Sequence, residues 1–153
     1  MAQAALIAAL YVVLVFAFAP ISFEEIQVRI AEALTILPIY TVSAVPGLAI
    51  GCLLGNIIGG APMPDVIFGT MATLIGAVGT RLLKNRKPAI AIIPPIAANM
   101  LIIPFVLRYA YEVPLPMPLM MATVGLGEVI SCGMLGMLLY KALLPHRSNI
   151  FKE

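Results

Sequence analysis

Six apolar stretches, each near the ~20 residues an α-helix needs to cross a hydrocarbon layer, divide this chain almost end to end. They run over about residues 2–19, 28–44, 46–60, 66–83, 88–108 and 118–143. Of the 153 residues, 62% are hydrophobic and only 10% are charged, against roughly 25% charged in soluble domains. A soluble fold of this size has too little interior for so much apolar surface, so a bilayer is the expected solvent. Pro20, Pro46, Pro62, Pro64, Pro88, Pro114, Pro116, Pro118 and Pro145 sit at or near the ends of the stretches, where a missing N–H does least harm. No ten-residue alternation suggests a β-barrel. The expected fold is an all-α membrane protein, one domain built as a bundle of six transmembrane helices.

The first stretch ends in "AFA", which has the look of a signal-peptide cleavage site. It lacks a basic leading region, Pro20 follows at once, and the apolar run is long, so it reads as a helix. Basic residues set the expected orientation. With six spans, Arg81, Lys84, Arg86, Lys87, Lys141, Arg147 and Lys152 share a side with both termini. Arg29 and Arg108 fall on the other, as do Glu24, Glu25, Glu32, Asp65 and Glu112. Both termini are therefore expected in the cytoplasm of a cell-membrane protein. The net charge of +2 is explained by topology and implies no nucleic acid.

No catalytic machinery is visible. There is no G-x-x-x-x-G-K-[ST] and no G-x-S-x-G. Cys52 and Cys132 lie inside spans without metal-site spacing and read as small packing residues; the single histidine, His146, lies in the tail. No cofactor, metal or enzymatic activity is expected. Any ATP-driven movement requires hydrolysis by another subunit.

Two stripes of small residues stand out. Gly47, Gly51, Gly55 and Gly59 recur every fourth residue, three overlapping G-x-x-x-G steps that let another helix backbone come close. Packing within the chain is the plain reading. Ala4 with Ala8, and Ala5 with Ala9, form two similar pairs near the start of the first span, and are candidates for docking a second membrane protein.

Polar residues at membrane depth carry the functional signal. Glu128 has no charged residue within ten positions on either side. It lies roughly 15 Å along its helix from the outer end. A central acid costs about 2.5–3.5 kcal/mol to insert, so it must face the interior and meet a partner: a ligand, or Arg29 or Arg108. Asn99 follows Pro94-Pro95, and Asn56 lies on the glycine-striped helix. Both can bind a ligand or join helices. In "PISFEEIQVRIAEAL", Glu25, Arg29 and Glu32 are spaced to share one helix face. They form either a surface salt-bridge ladder or the rim of an outward-opening site. Asp65 sits near the N-cap of the fourth span.

These residues resemble a family. "APISFEEIQVRIAEALTILP", followed by "VPGLAIGCLLGNIIGG" and "DVIFGTMATL", is similar to the QueT family over about residues 4–144. Members are substrate-binding S components of energy-coupling factor transporters for queuosine precursors. The resemblance implies six helices, a site near the outer face and no ATPase of its own. It implies docking through first-span alanines onto a transmembrane coupling protein driven by two cytoplasmic ATPases, and toppling in the membrane to carry the ligand inward. The chain departs from the pattern in having no charge between spans two and three.

A deazaguanine suits the polar residues. Glu128 is expected to accept the ring N–H and exocyclic amine, since charge-assisted bonds are the stronger kind. Asn99 donates to the ring carbonyl, and Phe68 or Phe105 stacks on the base at roughly 1–3 kcal/mol. An aminomethyl cation meets Glu32 or Asp65. Two other classes stay open: a structural or assembly subunit without a ligand, and a small proton-coupled carrier working through Glu128.

Overall fold

The computed structural model describes residues 1–18 and 29–151. Glu24, Glu25 and the rest of the "ISFEEIQV" run therefore lie outside the described residues, as does Lys152. Helix α1 is Ala2–Ala17, α2 is Ala44–Ile58 and α3 is Met63–Leu82. Helix α4 spans Pro88–Tyr109 with an irregular turn at Ile92, and α5 runs over Met117–Ile150 with changes of winding along it. No strand occurs among the described residues. The protein is an all-α, multi-pass membrane protein. Three helices, α3, α4 and α5, are long and apolar enough to cross a bilayer, and the shorter α1 and α2 are equally apolar.

The second apolar stretch differs from expectation. Where an α-helix over 28–44 was expected, the described residues from Arg29 on instead form a 3-10 helix, Ile30–Ile39. Ten residues at about 2.0 Å rise make roughly 20 Å, short of a hydrocarbon layer of about 30 Å. Residues 31–38 are all buried, and the segment packs against α1, α2, α3 and α5. That surrounding protein makes the tighter winding tolerable, because non-α backbone at membrane depth survives only away from lipid. The Thr35 hydroxyl donates to the Glu32 carbonyl at 2.6 Å and reinforces the i to i+3 spacing.

Around this central segment the helices are neighbours in chain order: α1 on α2, α2 on α3, α3 on α4, and α4 on α5. Small residues set the distances. The glycine stripe is occupied from within the chain. A Cβ on Gly47 would stand 2.8 Å from the Ala4 carbonyl oxygen, and one on Gly51 would stand 2.7 Å from the Tyr11 Cβ. Gly59, the last of the four, is exposed at the C-cap. Gly76 and Gly79 of α3 in turn receive Pro95 and Pro94 of α4. Pro94 and Pro95 thus form a packing ridge on α4.

The bundle's polarity is inverted relative to a soluble domain. Leu6, Val13, Ile50, Ile57, Leu101 and Leu138 are exposed, whereas Arg29, Glu32, Asn56, Asp65, Asn99 and Glu128 are buried. At the end that carries the termini, Tyr40 stacks between Tyr140 and Phe151, and Gln3 donates to the Ile150 carbonyl at 3.1 Å.

The glycine stripe supplies an internal comparison. At Gly55 a Cβ would meet Val15 at an ordinary 3.5 Å. We predict that Gly51→Ala destabilises the protein by about 1–3 kcal/mol through overpacking. Gly55→Ala is expected to be neutral or slightly stabilising, because alanine favours the helix by up to about 1 kcal/mol. Thermal unfolding in detergent decides; equal midpoints for the two variants would contradict the packing described.

Candidate functional site

The buried polar residues form two connected groups. The first sits at the end carrying the α2–α3 and α4–α5 loops. Asp65, in the first turn of α3, pairs with Arg29 at 3.3 Å. Its Oδ2 also accepts the Tyr111 hydroxyl at 2.6 Å. Tyr111 reaches it because the α4–α5 loop turns sharply: Glu112 has φ 53° and the Val113 N–H donates back to the Leu107 carbonyl at 3.1 Å. Burial, then the bond to Asp65, raises the Tyr111 hydroxyl above the usual tyrosine value, so it stays a donor at physiological pH. Asn56 donates from α2 to the Asp65 carbonyl at 3.2 Å. Gly69 leaves room for both, since a Cβ there would stand 2.8 Å from Asp65 Oδ1 and 3.1 Å from Asn56 Nδ2.

The second group lies deeper. Thr73 follows Asp65 by eight residues on α3, about 12 Å along the axis, and its hydroxyl approaches Glu32 Oε1 at 3.5 Å. The Tyr11 hydroxyl of α1 donates to the same oxygen. Glu32 Oε2 has no hydrogen-bond partner among the described residues. Opposite stands Glu128, whose Oε2 accepts the Cys132 thiol at 3.1 Å. A carboxylate oxygen of Glu32, one of Glu128 and the Cys132 sulfur all lie within 4.8 Å of one another. Asn99 of α4 is buried beside Glu128, with its amide Nδ2 directed at the carboxylate. Cys52 of α2 completes the ring beside Tyr11 and Thr73. Every element of the bundle therefore contributes to this centre.

Helix α5 changes winding here. Its α-helical part ends at Glu128, and Val129–Leu135 is π-helical before regular winding resumes at Gly136. π-Turns concentrate at functional sites.

Of the sequence candidates, Glu32, Glu128 and Asn99 meet at one centre, while Arg29, Asp65 and Asn56 close the end above it. Neither arginine considered for Glu128 is its ion-pair partner: Arg29 is engaged by Asp65, and the exposed Arg108 donates to the Val113 and Leu115 carbonyls at 3.4 and 3.3 Å. The Glu25–Arg29–Glu32 ladder has one member outside the described residues, and Arg29 turns to Asp65. Phe68 and Phe105 are 48% and 51% exposed. With Pro64, Leu101, Ile102, Val106 and Tyr109 they line an outward apolar groove of about 460 Å³. Their helical phase turns them outward, away from the acids. The alanines divide in the same way: Ala4 and Ala8 pack on the glycine stripe, whereas Ala5 and Ala9 remain exposed.

Sequence reasoning missed Tyr11, Thr73, Tyr111 and Cys132. Cys132, read as filler, donates to Glu128. A phenol in the middle of an apolar helix was the available signal for Tyr11, because a buried tyrosine hydroxyl needs a partner. If a cation is held in the interior, Glu32, Glu128 and Cys132 are the residues placed to hold it.

The Arg29–Asp65 pair makes a direct prediction. Arg29→Met should destabilise by about 3–5 kcal/mol, because it strands a buried carboxylate. Adding Asp65→Asn should recover most of that loss. Unfolding midpoints of the single and double variants test it; no recovery would place the role of Arg29 elsewhere.

Among comparisons with known proteins, the family model described as QueT transporter matches residues 1–145. No curated protein and no solved structure matches the chain.

Proposed function

The chain belongs to the QueT transporter family, and on that premise we propose that it is the substrate-binding S component of an energy-coupling factor transporter. It captures a queuosine precursor, a deazaguanine base, for import driven by partner subunits. The observation that carries this reading is the buried centre of Glu32, Glu128 and Asn99. Two acids and an amide buried together inside a lipid-facing bundle are costly as mere packing. They match a ligand rich in N–H donors with one ring carbonyl: the acids accept the donors, and Asn99 Nδ2 donates to the carbonyl. The two carboxylates stand close together, so admitting a base parts the walls that carry them. Hydrolysis and coupling come from two cytoplasmic ATPases and a transmembrane coupling protein, and the chain itself performs no catalysis.

Both termini lie in the cytoplasm in this reading, following the seven basic residues on that side. The Arg29–Asp65–Tyr111 group then faces outward, above the acids, where a ligand enters. The exposed Ala5 and Ala9 give α1 a small-residue face that a second membrane helix can approach closely.

Two measurements test the proposal. Deazaguanines should raise the unfolding temperature of the purified protein. Glu128→Gln, which sets an amide donor against the ligand's donors, should weaken binding about tenfold or more, the loss of about 1.4 kcal/mol. Binding that survives within about twofold removes Glu128 from the site. Separately, Ala5→Leu with Ala9→Leu should abolish co-purification with the coupling protein while leaving base binding intact. Retained co-purification would move the docking face off α1.

A further inference from the structure

Helices α3 and α4 meet tightly over one part of their length and differently over the other. Near the α3–α4 loop, a Cβ on Gly76 would stand 2.6 Å from the Pro95 Cα, and Gly79 receives Pro94 as closely. Toward the α4–α5 loop the outward face changes character. Pro64 and Phe68 of α3 stand there opposite Leu101, Phe105 and Tyr109 of α4, and the groove of about 460 Å³ opens between them. None of the residues lining it is glycine, alanine or serine.

The lining, the length and the mouth of this groove point to one occupant. Helices in a membrane approach one another over small residues. Aromatic and branched side chains instead leave a gap suited to a thin, flexible chain. From Leu101 to Tyr109 the groove follows α4 for about 12 Å, close to half of a hydrocarbon layer of about 30 Å. A second transmembrane helix needs a seat along the whole layer, whereas an acyl chain occupies one leaflet. At the mouth, Tyr109 and Arg108 are both exposed. Tyrosine is enriched at the headgroup level. Arg108 follows Phe105 by three residues and so stands on the groove side of α4. Its bonds to the Val113 and Leu115 carbonyls use Nη1 alone, and it forms no ion pair among the described residues. The rest of the guanidinium suits a phosphate, which arginine meets through two parallel bonds.

We propose that the α3–α4 groove binds one acyl chain of a phospholipid whose phosphate is held by Arg108. This goes beyond the transport reading and does not depend on it. The groove also adjoins the outer polar group. Asp65 lies between Pro64 and Phe68 in the chain, and its partner Tyr111 follows Tyr109 by two residues. The lipid therefore rests on the two helix ends that the Tyr111–Asp65 hydrogen bond ties together.

Native mass spectrometry of the purified full chain in mild detergent tests the site. The probes are dioleoyl-phosphatidylglycerol and dioleoylglycerol, which keeps the chains and lacks the phosphate. The first phosphatidylglycerol should bind about tenfold or more tighter than those that follow, and about fivefold or more tighter than dioleoylglycerol. Arg108→Gln should erase the preference for the phosphate. Leu101→Trp, which fills the groove from an exposed position, should weaken the first lipid about fivefold or more. Leu138→Trp, equally exposed but on α5, should leave it unchanged. Successive lipids of equal affinity would overturn the proposal, because an unselective lipid annulus behaves that way. So would a first lipid indifferent to Leu101→Trp, or a phosphate preference that survives Arg108→Gln. A dimer that Leu101→Trp dissolves would also overturn it and give the groove to a second copy of the chain. The wild-type comparison of the two probes needs no variant, so it decides even if a variant fails to fold.

Discussion

Carboxylates inside a lipid-embedded bundle must be met by donors, because no surrounding water exists to do it. That constraint organises this protein. Glu32 sits on the 3-10 segment, and the segment is enclosed on every side by α1, α2, α3 and α5. Tyr11, Thr73 and Cys132 then bring donors to the two acids from three different helices. The close helix approaches at Gly47, Gly51 and Gly76 follow from the same need. Donors with short side chains reach a common centre only if their backbones are drawn together. Stability and site are therefore built from the same contacts.

Winding is the second device. The 3-10 segment and the π-helical Val129–Leu135 face each other across the acids. One is wound tighter than an α-helix and the other looser. Gly136, where regular winding resumes, packs beside the Ala33 carbonyl oxygen of the 3-10 segment. Regular helices would present Glu32 and Glu128 in a different phase. The two irregular segments are also the places where backbone hydrogen bonding departs from the α-helical pattern.

How much of this was legible in the sequence depends on the rule each residue obeys. That Glu32, Asn56, Asp65, Asn99 and Glu128 face inward follows from the cost of polar groups in hydrocarbon, and it can be read from one residue at a time. Which of them meet cannot. Glu128 approaches Glu32, and Arg29 chooses Asp65 over Glu32, through contacts between segments far apart in sequence. Phe68 and Phe105 show the limit clearly: aromatic identity carries no helical phase, and in a stretch that is apolar on all sides no hydrophobic period reveals it. The same uniformity hid the 3-10 winding of Ile30–Ile39, because periods of 3.0 and 3.6 cannot be told apart when nearly every position is apolar.

Helix α1 ties these threads together. Its inward residues, Ala4, Ile7, Ala8, Tyr11 and Val15, recur at three- and four-residue steps. They rest on the glycines of α2 and on the core around the 3-10 segment. Its outward residues include Ala5 and Ala9. Tyr11 is thus fixed to the same rigid rod as the exposed alanines, less than two turns from Ala5, and its hydroxyl holds Glu32. The stripe at Gly47 and Gly51 has no spare room, so α1 cannot roll on α2 without a clash. Helices α1 and α2 are therefore locked together as a unit. Between α1 and the acid pair stand the packing of Ile7, Tyr11 and Val15 on the 3-10 segment and the hydrogen bond of Tyr11 to Glu32. The outer face of α1 and the buried acids are mechanically adjacent even though no residue of one touches the other.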